Sequence, residues 1–77
     1  MVIELEYYGQ VAEITGKNRE QLISVHSDLE SIRSELLTKY NFKNLPLSYA
    51  VNNEFIQGNS ELKEGDKLAV MPPFSGG

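Results

Sequence analysis

Few residues in this chain are placed to do chemistry, and the best placed are the last ones. The sequence ends Met71-Pro72-Pro73-Phe74-Ser75-Gly76-Gly77, which leaves the terminal carboxylate on a bare diglycine. Gly76 and Gly77 lack a Cβ and can thread a slot too narrow for other residues. Pro72 and Pro73 fix φ, resist helix and favour an extended path. From Pro72 onward the fully extended chain spans roughly 20 Å, enough to reach an active site inside another protein. A stiff neck and a slim, flexible tip therefore suit the presentation of a carboxylate to a partner. The plain alternative is a frayed terminus.

Other chemistries find little support. The single histidine, His26, precedes a helix start, where a lone imidazole more often packs or faces water than catalyses. It has no second histidine with which to share a metal. The absence of cysteine removes disulfides, thiolate nucleophiles and cysteine-type zinc sites. The carboxylates are scattered and make no acid/base pair. Gly9 to Gly16 lacks the GK[ST] ending of a phosphate loop. No cofactor and no metal are expected on this chain. Net charge is −4, from 11 acidic and 7 basic residues. That balance argues against nucleic acid, which needs a basic footprint, and fits a basic protein partner better. No apolar run suits a signal peptide or a membrane span, so a cytoplasmic protein away from membranes is expected.

The elements that must position the tail can be read in order. Ile3, Leu5 and Tyr7 alternate with Glu4 and Glu6, the pattern of a strand with one face wet. Gln10 to Thr15 is a short helix stopped by Gly16. Residues 20–25 form a second strand, a hairpin partner of the first, with Ile23 and Val25 preferred as the inward phase over Leu22. Ser27 and Glu30 have the spacing of a capping box. Leu29, Ile32, Leu36 and Tyr40 then recur at helical spacing, so one helix runs from about residue 28 to 40 and ends at Asn41. Residues 42–46 are loop. Residues 47–51 are a strand, Asn52-Asn53 a turn, and residues 54–56 a short returning strand. Leu62 anchors a helical turn. Lys67 to Met71, mostly apolar, is a central strand that runs straight into the prolines.

One long amphipathic helix needs a sheet to cover its stripe. The expected architecture is a two-layer α+β domain whose first and last strands lie parallel in mid-sheet, the β-grasp arrangement. The domain covers residues 1–71 and the tail residues 72–77. Tyr8, Phe55, Met71 and Phe74 have no evident core duty and are candidates for an apolar partner patch at the root of the tail.

The stretches Tyr49 to Ile56 and Leu62 to Gly77 resemble the C-terminal half of the small, sulfur-carrying subunits of molybdopterin synthase. Val51-Asn52, Gly65-Asp66 and Pro72-Pro73-Phe74-Ser75-Gly76-Gly77 stand where that family has its motifs. Leu5 to Gly16 fits the family's first strand and short helix, so the resemblance covers the whole chain. It implies a ubiquitin-like β-grasp fold and a carrier that is not an enzyme on its own. A partner similar to ubiquitin-activating enzymes, an adenylyltransferase, would use MgATP to adenylate Gly77. A sulfur donor protein would then displace AMP and leave a thiocarboxylate. With Gly76, Pro72, Pro73, Phe74 and Ser75 in a slot of the large subunit, the sulfur would pass to precursor Z (cyclic pyranopterin monophosphate). A heterotetramer of two large and two small subunits is implied as well. Carriers for thiamine or another sulfur metabolite, and ubiquitin-like modifiers, share the diglycine. The proline neck and the short helix between Gly9 and Gly16 favour the molybdopterin pathway.

Overall fold

The computed structural model of the chain describes residues 1–73. Its elements are β1 (Val2–Tyr7), α1 (Gln10–Thr15), β2 (Arg19–Ile23), α2 (Leu29–Lys39), β3 (Ser48–Val51), β4 (Glu54–Ile56) and β5 (Lys67–Met71). They make a five-stranded mixed sheet in the order β2-β1-β5-β3-β4. β1 and β5 run parallel in the interior and every other pairing is antiparallel. This is the expected α+β, β-grasp arrangement. α2 lies on one face, where Leu29, Ile32 and Leu36 pack with Ile3, Leu5, Tyr7, Leu68 and Val70 in one core. Successive side chains alternate between the faces, so Glu4, Glu6, Ala69 and Met71 turn to the opposite face, which no layer of the described residues covers.

Local chemistry sets the ends of α2. Asp28, in an extended conformation, accepts from the Ser31 amide at 3.1 Å and the Ser31 hydroxyl at 3.0 Å. The N-cap is therefore one residue later than the Ser27–Glu30 spacing predicts. Ser27 and Glu30 instead tie the helix start to the distant β4–β5 connection: Ser27 donates to Glu61, and the Glu30 amide donates to Asn59. The helix stops at Tyr40, which is extended, and the left-handed residues come later, at Lys43 and Asn44 rather than Asn41. Leu62 is buried, as an anchor should be, but it follows the Asp28–Glu61 bridge and is not helical. At Asn52 and Asn53 both residues have positive φ, as a tight β3–β4 turn requires.

The phase of β2 is the reverse of the one preferred from sequence. Ile3 pairs with Leu22 and Leu5 with Glu20, which turns Leu22 and Glu20 toward α2 and leaves Ile23 and Val25 in solvent. The reason is the partner set waiting for Glu20. Its Oε2 accepts from the Tyr7 hydroxyl at 2.5 Å and the Tyr40 hydroxyl at 2.6 Å, and its Oε1 from Lys39 at 3.0 Å. The Tyr7 and Tyr40 rings meet edge to face, and Tyr40 in turn contacts Phe42, a loop residue buried in the core. Burial pushes the Glu20 carboxyl up, but the hydrogen bonds from Tyr40, Tyr7 and Lys39 outweigh it and hold the pKa at about 2. Burial and the same carboxylate push the Tyr7 phenol above its ordinary value.

A depressed carboxyl pKa stabilises the fold above the unfolded value and stops doing so as pH falls through the folded one. Glu20 thus contributes on the order of 3 kcal/mol at neutral pH, lost between about pH 4.5 and pH 2. Glu20→Gln keeps the shape and removes the charge. We expect urea titrations to find it about 2 kcal/mol less stable than wild type at pH 7, with the gap closing as pH falls through that window.

Candidate functional site

The described chain leaves the sheet at Met71, and the β1–β5 pairing decides what stands around that exit. Tyr7 lies opposite Val70 in the parallel ladder, so the next positions bring Tyr8 beside Met71. The Tyr8 amide donates to the Val70 carbonyl at 3.1 Å. On its other side Met71 faces Ser48 of β3. Tyr8, Met71 and Ser48 therefore form one row on the sheet face turned away from α2. The next row on that face is Glu6, Ala69, Ala50 and Phe55, one from each of four strands. The two alanines make a low floor between Phe55 at one side and Tyr8 with Met71 at the other.

Tyr8 and Phe55 are each about half exposed (49% and 52%). The Tyr8 hydroxyl donates to Glu6 at 3.0 Å, and this bond is the main cause of the upward displacement of its phenol pKa. Met71 and Pro72 are partly buried, and Pro73 is exposed. Gly9 fixes the direction of the neck. It combines φ 56° with ψ −132°, a conformation that residues with a Cβ rarely adopt. A methyl group built there would lie 3.5 Å from Cγ and 3.6 Å from Cδ of Pro72. Gly9 thus turns the chain from β1 into α1 while its bare Cα faces the first proline of the neck. α1 is held in turn by Val11, buried in the core, and by left-handed Gly16 at its end.

The structure thus sets Tyr8, Met71 and Pro72 together and puts Phe55 on the same face across two strands. Four candidate residues, Phe74, Ser75, Gly76 and Gly77, lie outside the described residues. Sequence reasoning gave no part in the site to Gly9, Ser48, Ala50 or Ala69. Small side chains on an uncovered sheet face are the signal that points to them. His26 is half exposed, with Nε2 3.8 Å from Glu35, and belongs to no site. Among the described residues no group of three or more histidine, cysteine or acidic side chains is arranged to hold a metal ion, and no helix is long and apolar enough to cross a membrane.

Three comparisons place this geometry. The model of the ThiS family matches residues 5–77. The human molybdopterin synthase sulfur carrier subunit is 32% identical across 97% of this chain and 93% of its own length, and its counterpart from Chlamydomonas reinhardtii is 27% identical across all of both. Among solved structures, the complex of subunits 1 and 2 of the molybdopterin-converting factor from Helicobacter pylori is matched at TM-score 0.71 and 26% identity over the full length of both chains. SAMP1 from Haloferax volcanii is matched at TM-score 0.78 but 18% identity, a likeness of fold.

Gly9→Ala tests the turn beneath the neck. The added methyl meets only ordinary van der Waals contact, so the cost is backbone strain, about 1–3 kcal/mol. A denaturant midpoint lowered accordingly is the expected result.

Proposed function

The chain belongs to the ThiS family, and from that membership we propose that it is a sulfur carrier acting in molybdenum cofactor synthesis. Gly77 is adenylated, then thiocarboxylated, and gives its sulfur to precursor Z within molybdopterin synthase. The observation that carries this reading is the end-to-end likeness to relatives named molybdopterin synthase sulfur carrier subunit. The complex of subunits 1 and 2 from Helicobacter pylori, at 26% identity, supports the large subunit as the partner.

The chemistry asks little of the folded domain and much of the tail. A carboxylate does not react with a sulfur nucleophile until it carries a leaving group. An adenylyltransferase supplies one by joining the Gly77 carboxylate to AMP from MgATP, with release of pyrophosphate. Sulfur at the oxidation level of sulfide, from a donor protein, displaces AMP. The thiocarboxylate sulfur then forms its bond to the substrate, and water restores the Gly77 carboxylate. No residue of residues 1–71 acts as acid, base or metal ligand in these steps, so the chain is a substrate of its partners and not an enzyme alone. The domain presents residues 72–77: β5, held between β1 and β3, ends at Met71 and hands the chain to Pro72 and Pro73. Gly76, Gly77 and Ser75 enter the partner's slot, and Tyr8, Phe55, Met71 and Phe74 meet its mouth. Carriers for thiamine or other metabolites and protein modifiers share the activation step. The likeness to SAMP1 supports only the common fold, so the molybdopterin assignment stands ahead of them.

Position at the tip is the core of this reading. One alanine added after Gly77 moves the carboxylate out of register and should reduce sulfur transfer to precursor Z by several orders of magnitude, measured as molybdopterin formed with the large subunit. Full transfer from an untrimmed extended chain would contradict it. Phe55→Glu should weaken binding to the large subunit at least about tenfold in titration calorimetry while the fold survives, because the side chain is half exposed.

A further inference from the structure

Among the described residues, Ile23 and Val25 are the most exposed of the large apolar side chains, at 80% and 94%, and the sulfur-carrier role gives them nothing to do. They sit on β2 and its exit, at one edge of the sheet. The β1–β2 ladder bonds Tyr7 to Asn18 and Met1 to Ser24, so the even-numbered residues of β2 turn their backbone groups to β1. By the alternation of an antiparallel pair, Arg19, Gln21 and Ile23 turn theirs outward. The edge offers open N–H and C=O groups beside β-branched side chains, and Arg19–Ile23 contains no proline to block it.

The edge is also polar along its length. Lys17 and Arg19 stand at its start, Ile23 and Val25 toward its end, and Asp28, Glu61 and Glu35 lie just beyond. A strand laid antiparallel on β2 with the same sequence reverses that order. We propose that the β2 edge pairs with the β2 edge of a second copy of this chain about a two-fold axis. A register centred on Ile23 sets Ile23 against Ile23 of the second copy and brings Gln21 up to the bend at its Val25. The basic start of each strand then comes beside the acidic exit of the other, and the open backbone groups of Ile23 are satisfied. The apolar side chains that face water in one copy cover each other in two.

The contact leaves the tail free. Ile23 pairs with Val2, at the opposite end of β1 from Tyr8, roughly 20 Å along the strand from the root of the tail. One strand pair buries less than the roughly 1,200 Å² of a stable interface, so the association is weak, with a Kd of about 100 μM to 1 mM. It therefore matters where copies are held close together.

Sedimentation equilibrium of the full chain from about 10 μM to 1 mM tests this, alongside Ile23→Glu and Val25→Lys. Both side chains are exposed, so both variants should keep the wild-type circular dichroism and denaturant midpoint. Wild type should move toward dimer over the range, with each variant at least about tenfold weaker, and the Ile23 amide should gain exchange protection with concentration. A wild type monomeric throughout overturns the proposal. So does a dimer indifferent to both variants, or an edge that binds the large subunit instead of a second copy.

Discussion

Parallel pairing of β1 with β5 is the constraint on which the rest of the molecule depends. These strands come from opposite ends of the chain, and their ladder matches Glu4 with Lys67 through to Tyr7 with Val70. A one-residue slip would turn Leu68 and Val70 away from α2 and lose the core. The same register also decides that Tyr8 and Gly9 stand beside Met71 and Pro72, so the packing that folds the domain also aims its C-terminal end. Stability and presentation of the tail are in this sense one property. Gly9 accepts a conformation closed to other residues at the point where both demands meet.

The two faces of the sheet divide the work. Toward α2 the side chains are mostly apolar, and the carboxylate of Glu20 is received there by two phenols and a lysine. Away from α2, small residues lie between half-exposed aromatic ones, and no layer of the described residues covers them. A carrier handled by several proteins needs such a face, because each partner must hold the domain while the tip is in its own active site. In the proposed reaction no side chain of the domain touches the sulfur, which suits a chain with no cysteine and no clustered metal ligands among its described residues.

Much of this was legible in the sequence, and the exceptions have physical causes. Alternation at Ile3, Leu5 and Tyr7, the stripe on α2 and the apolar run of β5 are strong patterns because each faces a dry core. The Asn52-Asn53 turn and the Gly16 helix end were legible because few residues accept those angles. β2 was misjudged because its inward positions carry Glu20 and Leu22 and its outward ones Arg19, Gln21 and Ile23. Hydropathy ranks Ile23 and Val25 as core; only the distant hydroxyls of Tyr7 and Tyr40 make Glu20 the better inward residue. The N-cap slipped by one because Ser27 and Asp28 are both good caps, and the loop contacts to Glu61 and Asn59 decide between them. The candidate face around Tyr8 and Met71 was legible only in part. Tyr8 and Met71 could be placed side by side once β1 and β5 were neighbours, whereas the floor of Ala50 and Ala69 needed the register.

The central claim is that chemistry is done on this protein and not by it, and intact mass spectrometry tests that most directly. The full-length chain is incubated with the adenylyltransferase, MgATP and a sulfur source. The account predicts one sulfur in place of one oxygen, located in the C-terminal fragment that contains Gly77. A mass that never changes, or covalent conjugates to other proteins in place of the thiocarboxylate, would contradict it.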